Sequence, residues 1–100
     1  MLEISSVLKD NQVVISLKGR LDTVSSKQLE IELEKFIDGP EVVIISFEDL
    51  DYISSAGLRV ILTYYKKFNS LSKQYILTKM NSLVKEVFDI SGFSKFLQIT

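Results

Sequence analysis

The sequence predicts a single α/β domain in which crossover helices pack on a mixed sheet of four or five strands. Short apolar runs rich in β-branched residues alternate with segments whose apolar residues recur every three to four positions, which are the periods of strands and helices. Breakers follow two of the helical segments, at Gly39-Pro40 and at Gly92. Of the 100 residues, 46% are hydrophobic, enough to bury one core. Residues 1–100 are therefore predicted to form one domain.

The first half of the chain predicts a β-hairpin followed by a helix. We expect a strand at residues 2–8, a turn at 9–12, a strand at 13–18, a segment that leaves the sheet at 19–22 and a helix at 23–37. Asp22 or Thr23 is suited to cap this helix. The apolar stripe has the spacing of a buried face and consists of Leu29, Leu33, Phe36 and Ile37. Ile31 lies outside the stripe and is expected on the surface, either without a role or in contact with a partner.

The second half predicts two further strand–helix units and a last strand. These elements are a strand at residues 42–47, a helix at 56–69, a strand at 74–78, a helix at 82–90 and a short strand at 96–99. The last helix carries four apolar residues that are expected to face the core, namely Leu83, Val84, Val87 and Phe88. The complete order is ββαβαβαβ.

Three of the predicted strands are joined through helices and should therefore run parallel, with right-handed crossovers. The turns that follow these strands then lie on one edge of the sheet. We expect Asp22, the serine pair Ser54-Ser55 and the turn 79–81 to be neighbours there. Open α/β sheets place their functional sites at this edge.

The serine pair lies between a buried strand and the first turn of a helix. This position offers unpaired backbone N–H groups and the positive end of the helix dipole. A serine here can cap the helix, or it can carry a phosphate. On a helical wheel Ser54 projects over the apolar side, as an N-cap would, whereas Ser55 projects at the polar margin, four residues before Arg59. Spacing alone leaves open that both serines are purely structural.

The helix after the serines has an apolar arc of roughly 200°, wider than that of an ordinary amphipathic helix. The residues of this arc are Leu58, Val60, Ile61, Leu62, Tyr64, Tyr65 and Phe68. Either the helix is buried between its neighbours, or the margins of the arc remain available to a partner.

Composition excludes several classes of function. Without histidine or cysteine, the chain has no Ser-His-Asp or Cys-His triad and no imidazole or thiolate metal site. A Ser-Lys pair is formally possible, but no lysine lies near the serines in sequence. The net charge of −1 argues against nucleic acid, and no apolar run reaches the roughly 20 residues of a membrane span. We expect a cytoplasmic protein that is not an enzyme and that has no metal or cofactor.

Two motifs resemble the STAS family, and most closely its free-standing bacterial anti-sigma factor antagonists. Gly19-Arg20-Leu21-Asp22 is similar to the family's Gly-x-Leu-Asp, and residues 52–62, Tyr-Ile-Ser-Ser-Ala-Gly-Leu-Arg-Val-Ile-Leu, are similar to its aromatic-x-Asp-Ser-x-Gly-Leu-x-x-Leu run. A weaker match is Val-Phe-Asp-Ile-Ser-Gly-Phe at 87–93. The serine run is the more specific of these signals. One departure is Ser54, which stands where the family has an aspartate; Asp22, expected at the same edge, is a candidate to replace part of its role.

The resemblance implies a binding module that is switched by phosphorylation. The unmodified protein would bind an anti-sigma factor that is also a serine kinase, and phosphorylation of Ser55, or alternatively of Ser54, would release it. A PP2C-type phosphatase would restore the unmodified form. The kinase supplies ATP and Mg²⁺, so this chain needs no cofactor. The implied partner-binding residues are Asp22, Ser54, Ser55, Ala56, Gly57, Leu58, Arg59 and Leu62.

Two other functions are compatible with the same residues. One is a STAS subunit of a transport or other regulatory complex that acts by binding alone, without phosphorylation. The other is a nucleotide-binding module at the serine turn, which the missing Gly-rich phosphate loop disfavours.

Overall fold

The computed structural model describes all 100 residues, and it confirms the α/β fold class. Its elements are β1 (Leu2–Lys9), β2 (Gln12–Leu21), α1 (Ser26–Glu34), β3 (Val42–Ile53), α2 (Ser55–Ser70), β4 (Gln74–Thr78), α3 (Ser82–Ile90), a 3₁₀ turn (Phe93–Lys95) and β5 (Gln98–Ile99). The five strands form one sheet in the order β1-β2-β3-β4-β5. Strand β1 is antiparallel to β2, and the remaining pairs are parallel.

The predicted hairpin is confirmed. Lys9 lies opposite Gln12 in the ladder, and the two residues between them, Asp10 and Asn11, have φ of 51° and 66°. Two consecutive left-handed residues are the mark of a type I′ turn, whose twist matches that of the flanking strands. Asp and Asn adopt this conformation more readily than other residues that carry a side chain.

The core lies between the sheet and its helices. Neighbouring strands align their inward residues in rows, such as Val13–Val43–Tyr75, and 22 buried residues form one cluster. Aromatic side chains join the layers: the rings of Phe68 on α2 and Tyr75 on β4 are 5.5 Å apart. No helix of the chain is both long enough and apolar enough to cross a bilayer.

Strands β2 and β3 are longer than predicted. Sequence reasoning ended them at Lys18 and Phe47, but they continue side by side to Leu21 and Ile53. Gly19, Arg20 and Leu21 therefore remain in the sheet, and their predicted exit from it is wrong. The ladder has two register shifts, between Ser16/Lys18 and Gly19/Arg20, each of which places an extra residue in β3. Because of these β-bulges, Leu50 and Ile53 both face the core although they are three residues apart. A regular strand places its inward residues two apart, so this spacing does not indicate a strand in the sequence.

Three other element predictions need correction. Helix α1 begins at Ser26, because Asp22 folds the preceding turn instead of capping the helix, and Phe36 and Ile37 are half-buried beyond its end. Leu83 is 70% exposed, although the apolar pattern predicts it on the core side of its helix. The last strand has two residues, since a 3₁₀ turn occupies the preceding segment. The ranges 74–78 and 82–90 are confirmed, and Ile31 is 66% exposed, as expected.

Candidate functional site

Ser54 is the N-cap of α2. Its backbone is extended (φ −92°, ψ 171°), and its Oγ accepts a hydrogen bond from the Gly57 N–H at 3.1 Å. Its carbonyl accepts from the Leu58 N–H at 2.9 Å, and its own N–H donates to the Leu21 carbonyl at 2.8 Å. The Ser54 side chain thus satisfies one of the four orphan donors of the helix, and its own N–H ties the helix to the end of β2. The predicted capping position of Ser54 is confirmed.

Gly57 allows α2 to approach β2 closely. A Cβ at this position would lie 2.6 Å from Cγ of Leu21 and 3.1 Å from its carbonyl oxygen. Leu21 is fully buried, so it has little freedom to move aside. A side chain at position 57 would therefore push the start of the helix away from the strand.

Ser55 is the first residue of α2 and presents a free hydroxyl. Its side chain is exposed and makes no hydrogen bond. The N–H groups of Ser55 and Ala56 also have no acceptor, because no helical carbonyl lies four residues before them and the Ser54 side chain serves Gly57 instead. A free hydroxyl therefore lies beside two free backbone donors, at the positive end of a 16-residue helix.

Asp22 lies next to this turn but is engaged elsewhere. It directly follows Leu21, which accepts the Ser54 N–H. Its Oδ1 accepts from the N–H groups of Val24 and Ser25, at 3.1 and 2.9 Å, and from the Ser25 hydroxyl at 3.0 Å. The bonds from Ser25 hold the pKa of this carboxyl below its usual value. Asp22 is a neighbour of the serines, as expected, with one carboxylate oxygen occupied in folding the β2–α1 turn.

The turn at residues 79–81 is placed differently from the prediction. Strand β4 ends opposite Ser46, well before the end of β3. Asn81 instead contacts the flank of β3, where its Nδ2 donates to the Leu50 carbonyl at 3.0 Å. The expected group of three adjacent turns is therefore a pair, Asp22 and the serines, with the third turn reaching β3 four residues before Ser54.

A groove that sequence reasoning missed lies between the end of β3 and α3. It has a volume of about 350 Å³. Its lining is mainly apolar and includes Tyr52, Ile53, Leu83, Val87 and Ile90. Leu83 and Ile90 are seven residues apart on α3 and are 70% and 78% exposed. This spacing, two helical turns on one face, is the signal that could have revealed the groove.

The outer side of the extended β2–β3 ribbon is charged. Glu48, Asp49 and Asp51 are exposed on β3, because the bulges direct Leu50, which lies between Asp49 and Asp51, inward. On the neighbouring strand the Arg20 guanidinium lies 4.1 Å from the centre of the Tyr52 ring, a cation–π contact. The surroundings of the serine turn thus combine acidic side chains, one stacked arginine and an apolar groove.

The wide apolar arc of α2 is explained by contacts on both of its sides. Toward α1, the Tyr64 hydroxyl donates to Oε1 of Glu34 at 2.5 Å, and burial together with that carboxylate raises the pKa of the phenol. Toward β4, Tyr65 packs against the ring of Tyr75, with centroids 6.2 Å apart. The structure therefore favours the alternative in which this helix is buried between its neighbours.

The implied partner-binding residues differ in accessibility. Ser55 and Arg59 are exposed. Four others are half-buried, namely Asp22, Ser54, Ala56 and Leu62. Gly57 and Leu58 are buried and can support such a surface but hardly contact a partner.

The family model of the STAS domain matches residues 3–100, and the chain therefore belongs to the STAS domain family. It is 39% identical over 85 residues to "Putative anti-sigma factor antagonist BtrV" of Bordetella bronchiseptica, an alignment that covers 84% of this chain and 73% of that protein.

Two solved structures have the same fold. The anti-sigma factor antagonist SpoIIAA in its unphosphorylated form is 24% identical, with a TM-score of 0.84, and the match covers 98% of this chain and 88% of that one. The Bacillus cell fate determinant SpoIIAA in the phosphorylated form is 22% identical, with a TM-score of 0.77, and the match covers all of this chain and 91% of that one.

Proposed function

We propose that this chain is an anti-sigma factor antagonist whose binding is switched by phosphorylation of Ser55. The proposal rests on the different hydrogen bonding of the two serines: the Ser54 side chain caps the helix, whereas the Ser55 hydroxyl is exposed and unbonded. The name of the Bordetella relative supports the antagonist role. That SpoIIAA exists in both phosphorylated and unphosphorylated forms supports the switch.

Ser55 is the better acceptor for a structural reason. Ser54 Oγ accepts the Gly57 N–H, so its modification would disturb the helix start and the contact with β2. Modification of Ser55 disturbs no hydrogen bond. A switch that acts on binding should leave the fold intact, and of the two serines of the pair Ser55 is the one that meets this condition.

The charge of the phosphate would act on the partner more than on the fold. A phosphoserine carries about −1.5 to −2 charges at pH 7. The free N–H groups of Ser55 and Ala56 and the helix dipole would favour it by ~0.3–1 kcal/mol at an exposed position. A protein surface packed over the turn would instead have to desolvate this charge, which Arg59, one helical turn away, could balance only in part, and this is strongly unfavourable.

The replacement of the family's aspartate by Ser54 is compatible with this role. Serine and aspartate are comparable N-caps, so the helix start is kept. The change removes one negative charge beside the acceptor hydroxyl, and Asp22 does not replace it fully, since one of its oxygens is already occupied. The kinase therefore meets a less acidic acceptor site than the family motif offers.

The proposed partner surface extends from the serine turn into the β3–α3 groove. Ile53 lines the groove and directly precedes Ser54, so the two features are continuous. Leu83 and Ile90 expose apolar area that a partner could cover. The proposed partners are an anti-sigma factor that is also a serine kinase and a PP2C-type phosphatase that removes the phosphate.

Phosphorylation of three variants by the cognate kinase tests the proposal. The kinase would be obtained by co-purification with the unmodified chain and identified as an ATP-dependent serine kinase. We expect complete loss of phosphate incorporation in Ser55→Ala, and retention in Ser54→Ala and in Ser82→Ala, a control at the equivalent position of α3. Phosphate that mass spectrometry still finds on Ser55→Ala would overturn the assignment of the acceptor.

A further inference from the structure

We propose that the free edge of β1 pairs with the same strand of a second copy of this chain. The two strands would run antiparallel and join two five-stranded sheets into one sheet of ten strands. The inference rests on the backbone groups that this edge leaves unpaired and on the order of charges along it.

The free groups belong to alternate residues of β1. The Arg20 N–H of β2 donates to the Met1 carbonyl at 3.1 Å, so the backbone N–H and C=O groups of the odd-numbered β1 residues point toward β2. The backbone groups of the even-numbered residues point away from it, and these residues are called outward residues below. The Leu2 carbonyl points away from β2 and accepts from Nε2 of Gln28 at 3.0 Å. The next outward residues are Ile4, Ser6 and Leu8, whose N–H and C=O groups have no partner.

The central part of this edge lacks the usual protection against strand pairing. Natural edge strands are commonly short, bulged, or interrupted by proline or charged side chains. Strand β1 has eight residues, pairs with β2 in an unbroken register and contains no proline. Its centre, Ile4 to Leu8, is uncharged. The opposite edge of the sheet, β5, has only two residues.

One antiparallel register fits both the backbone and the charges. In an antiparallel pair of edge strands, each residue whose backbone groups point outward must lie opposite another such residue. Centring the pair on Ser6 meets this condition and places Ile4 opposite Leu8 of the second copy. The six strand-to-strand hydrogen bonds of this register come from Ile4, Ser6 and Leu8 of each chain. It also places Glu3 opposite Lys9 of the second copy, twice over by symmetry. Within a single chain neither Glu3 nor Lys9 forms an ion pair.

The neighbouring registers are less favourable. A shift that sets Leu2 opposite Leu8 requires the Leu2 carbonyl, which Gln28 already occupies, and leaves Lys9 without an opposite residue in the strand. The opposite shift sets Ile4 against the turn residue Asp10 and leaves Glu3 without an opposite residue in the strand. Only the register centred on Ser6 pairs the two charges.

The side chains along this edge suit a second copy. The side chains of Ile4 and Leu8 lie on the helix side of the sheet, and Ile4 of one copy would contact Leu8 of the other across the dyad. The side chain of Leu8 is 60% exposed in the single chain. Near the dyad, Ser6 Oγ donates to Glu32 Oε2 at 2.6 Å. The charge of Glu32 is balanced by Lys35, 3.0 Å away, so the approach of two such carboxylates is not prohibitive.

Sedimentation and amide exchange on the full chain test the proposal. We expect the mass-average molar mass to rise from 11.4 kDa toward twice that value as the concentration increases from about 10 μM to about 1 mM, as weak association through a small interface requires. At low concentration the Ser5 and Val7 amides should be protected from exchange and those of Ile4, Ser6 and Leu8 should not. At high concentration all five should be protected.

Charge reversal tests the register. Lys9→Glu should weaken the dimer at least tenfold, because it opposes two negative charges at each end of the pair. The double variant Glu3→Lys with Lys9→Glu should restore it. Ser6→Pro, which removes the central donor from an edge that tolerates proline, should abolish it, with circular dichroism verifying the fold. A constant monomer mass up to the highest concentration overturns the proposal, as does a dimer unaffected by both Lys9→Glu and Ser6→Pro.

Discussion

Helices α2 and α3 begin in nearly the same way, yet only one of their starts is proposed as a phosphorylation site. Ser54 and Asn81 each cap with a side-chain oxygen the N–H three residues on, at 3.1 and 2.8 Å. Each cap is followed by an exposed serine, Ser55 or Ser82, whose hydroxyl makes no hydrogen bond. A free serine at a helix N-terminus therefore does not by itself distinguish the two.

The difference lies in what surrounds each serine. Four residues after Ser55 comes Arg59, whereas four residues after Ser82 comes Glu86. On a helix this spacing brings the two side chains together, so a phosphate would meet a cation at α2 and a carboxylate at α3. The cation three residues after Ser82, Lys85, is already paired with Asp89 at 2.8 Å. The third residue after the cap also differs: Gly57 lies against Leu21, while Val84 is an ordinary core residue. The local charge and the close contact with β2 are specific to α2.

The largest effect is expected from Gly57→Ala. Alanine is favoured over glycine inside a helix by ~1 kcal/mol, but here its Cβ would overlap buried Leu21. Overpacking of this kind costs typically ~1–3 kcal/mol, which leaves a net destabilisation of about 0–2 kcal/mol. Because the Cβ would lie only 2.6 Å from Cγ of Leu21, we expect a value near the upper end of this range. Urea denaturation measures it, with Lys66→Ala on the exposed side of α2 as the control. Equal stability of Gly57→Ala and the wild type would show that the contact with β2 does not require glycine.

The next largest effect is expected from Ser55→Asp. A carboxylate at this position should weaken binding of the anti-sigma factor at least tenfold, about 1.4 kcal/mol, because the interface must bury it. Calorimetry with the purified partner measures the affinity. Ser82→Asp places the same charge at the start of α3 and should change the affinity less than threefold. If the two substitutions weaken binding equally, the proposed interface is not centred on α2.

The two caps themselves should contribute similarly to stability. Ser54→Ala and Asn81→Ala each remove a side-chain acceptor and should each destabilise the fold by about 1 kcal/mol. Chemical denaturation compares them. Asn81 also donates to the Leu50 carbonyl, so its replacement should be the more costly of the two. The reverse order would mean that the link between α2 and β2 depends on the Ser54 side chain more than its contacts indicate.

The smallest effect is expected from Arg59→Ala. The unmodified protein should change little, since Arg59 is exposed and forms no ion pair. With Ser55 phosphorylated, the same substitution should cost several tenths of a kcal/mol, the size of a charged pair one helical turn apart. Denaturation of both sequences, with and without phosphate, isolates this term. If the substitution destabilises the phosphorylated protein no more than the unmodified one, Arg59 does not contact the phosphate.

The elements that could be predicted are those whose signals are local. The hairpin turn at Asp10-Asn11, strand β4 and helix α3 depend on adjacent residues, and their bounds agree with the structure closely. The placement of Ser54 and Ser55 on successive positions of a helix start was also readable from the wheel. Their use as phosphate acceptors stays a prediction.

The elements that were missed depend on contacts between distant segments. The extension of β3 does not alternate in polarity, because its two bulges match it to β2, and bulges cannot be read from one strand alone. The apolar pattern groups Leu83 with Val87, one helical turn further on, and so predicts it on the core side. The groove arises only once the end of β3 is known to pass beside α3.

The unequal lengths of the central strands have a mechanical consequence for the serine turn. Strand β4 stops opposite Ser46, so residues 47–53 of β3 extend beyond it and pair in the sheet only with β2. At about 3.3 Å per residue this extension is on the order of 20 Å long. Helix α3 packs beside it, where Phe88 contacts Phe47 and Asn81 donates to the Leu50 carbonyl. Under the proposed function, Ser55 directly follows a segment that is held by β2 on one side and by α3 on the other, so its exposed hydroxyl is presented on a firm base. A kinase and a phosphatase can then enclose the same hydroxyl in turn without displacing the body of the domain.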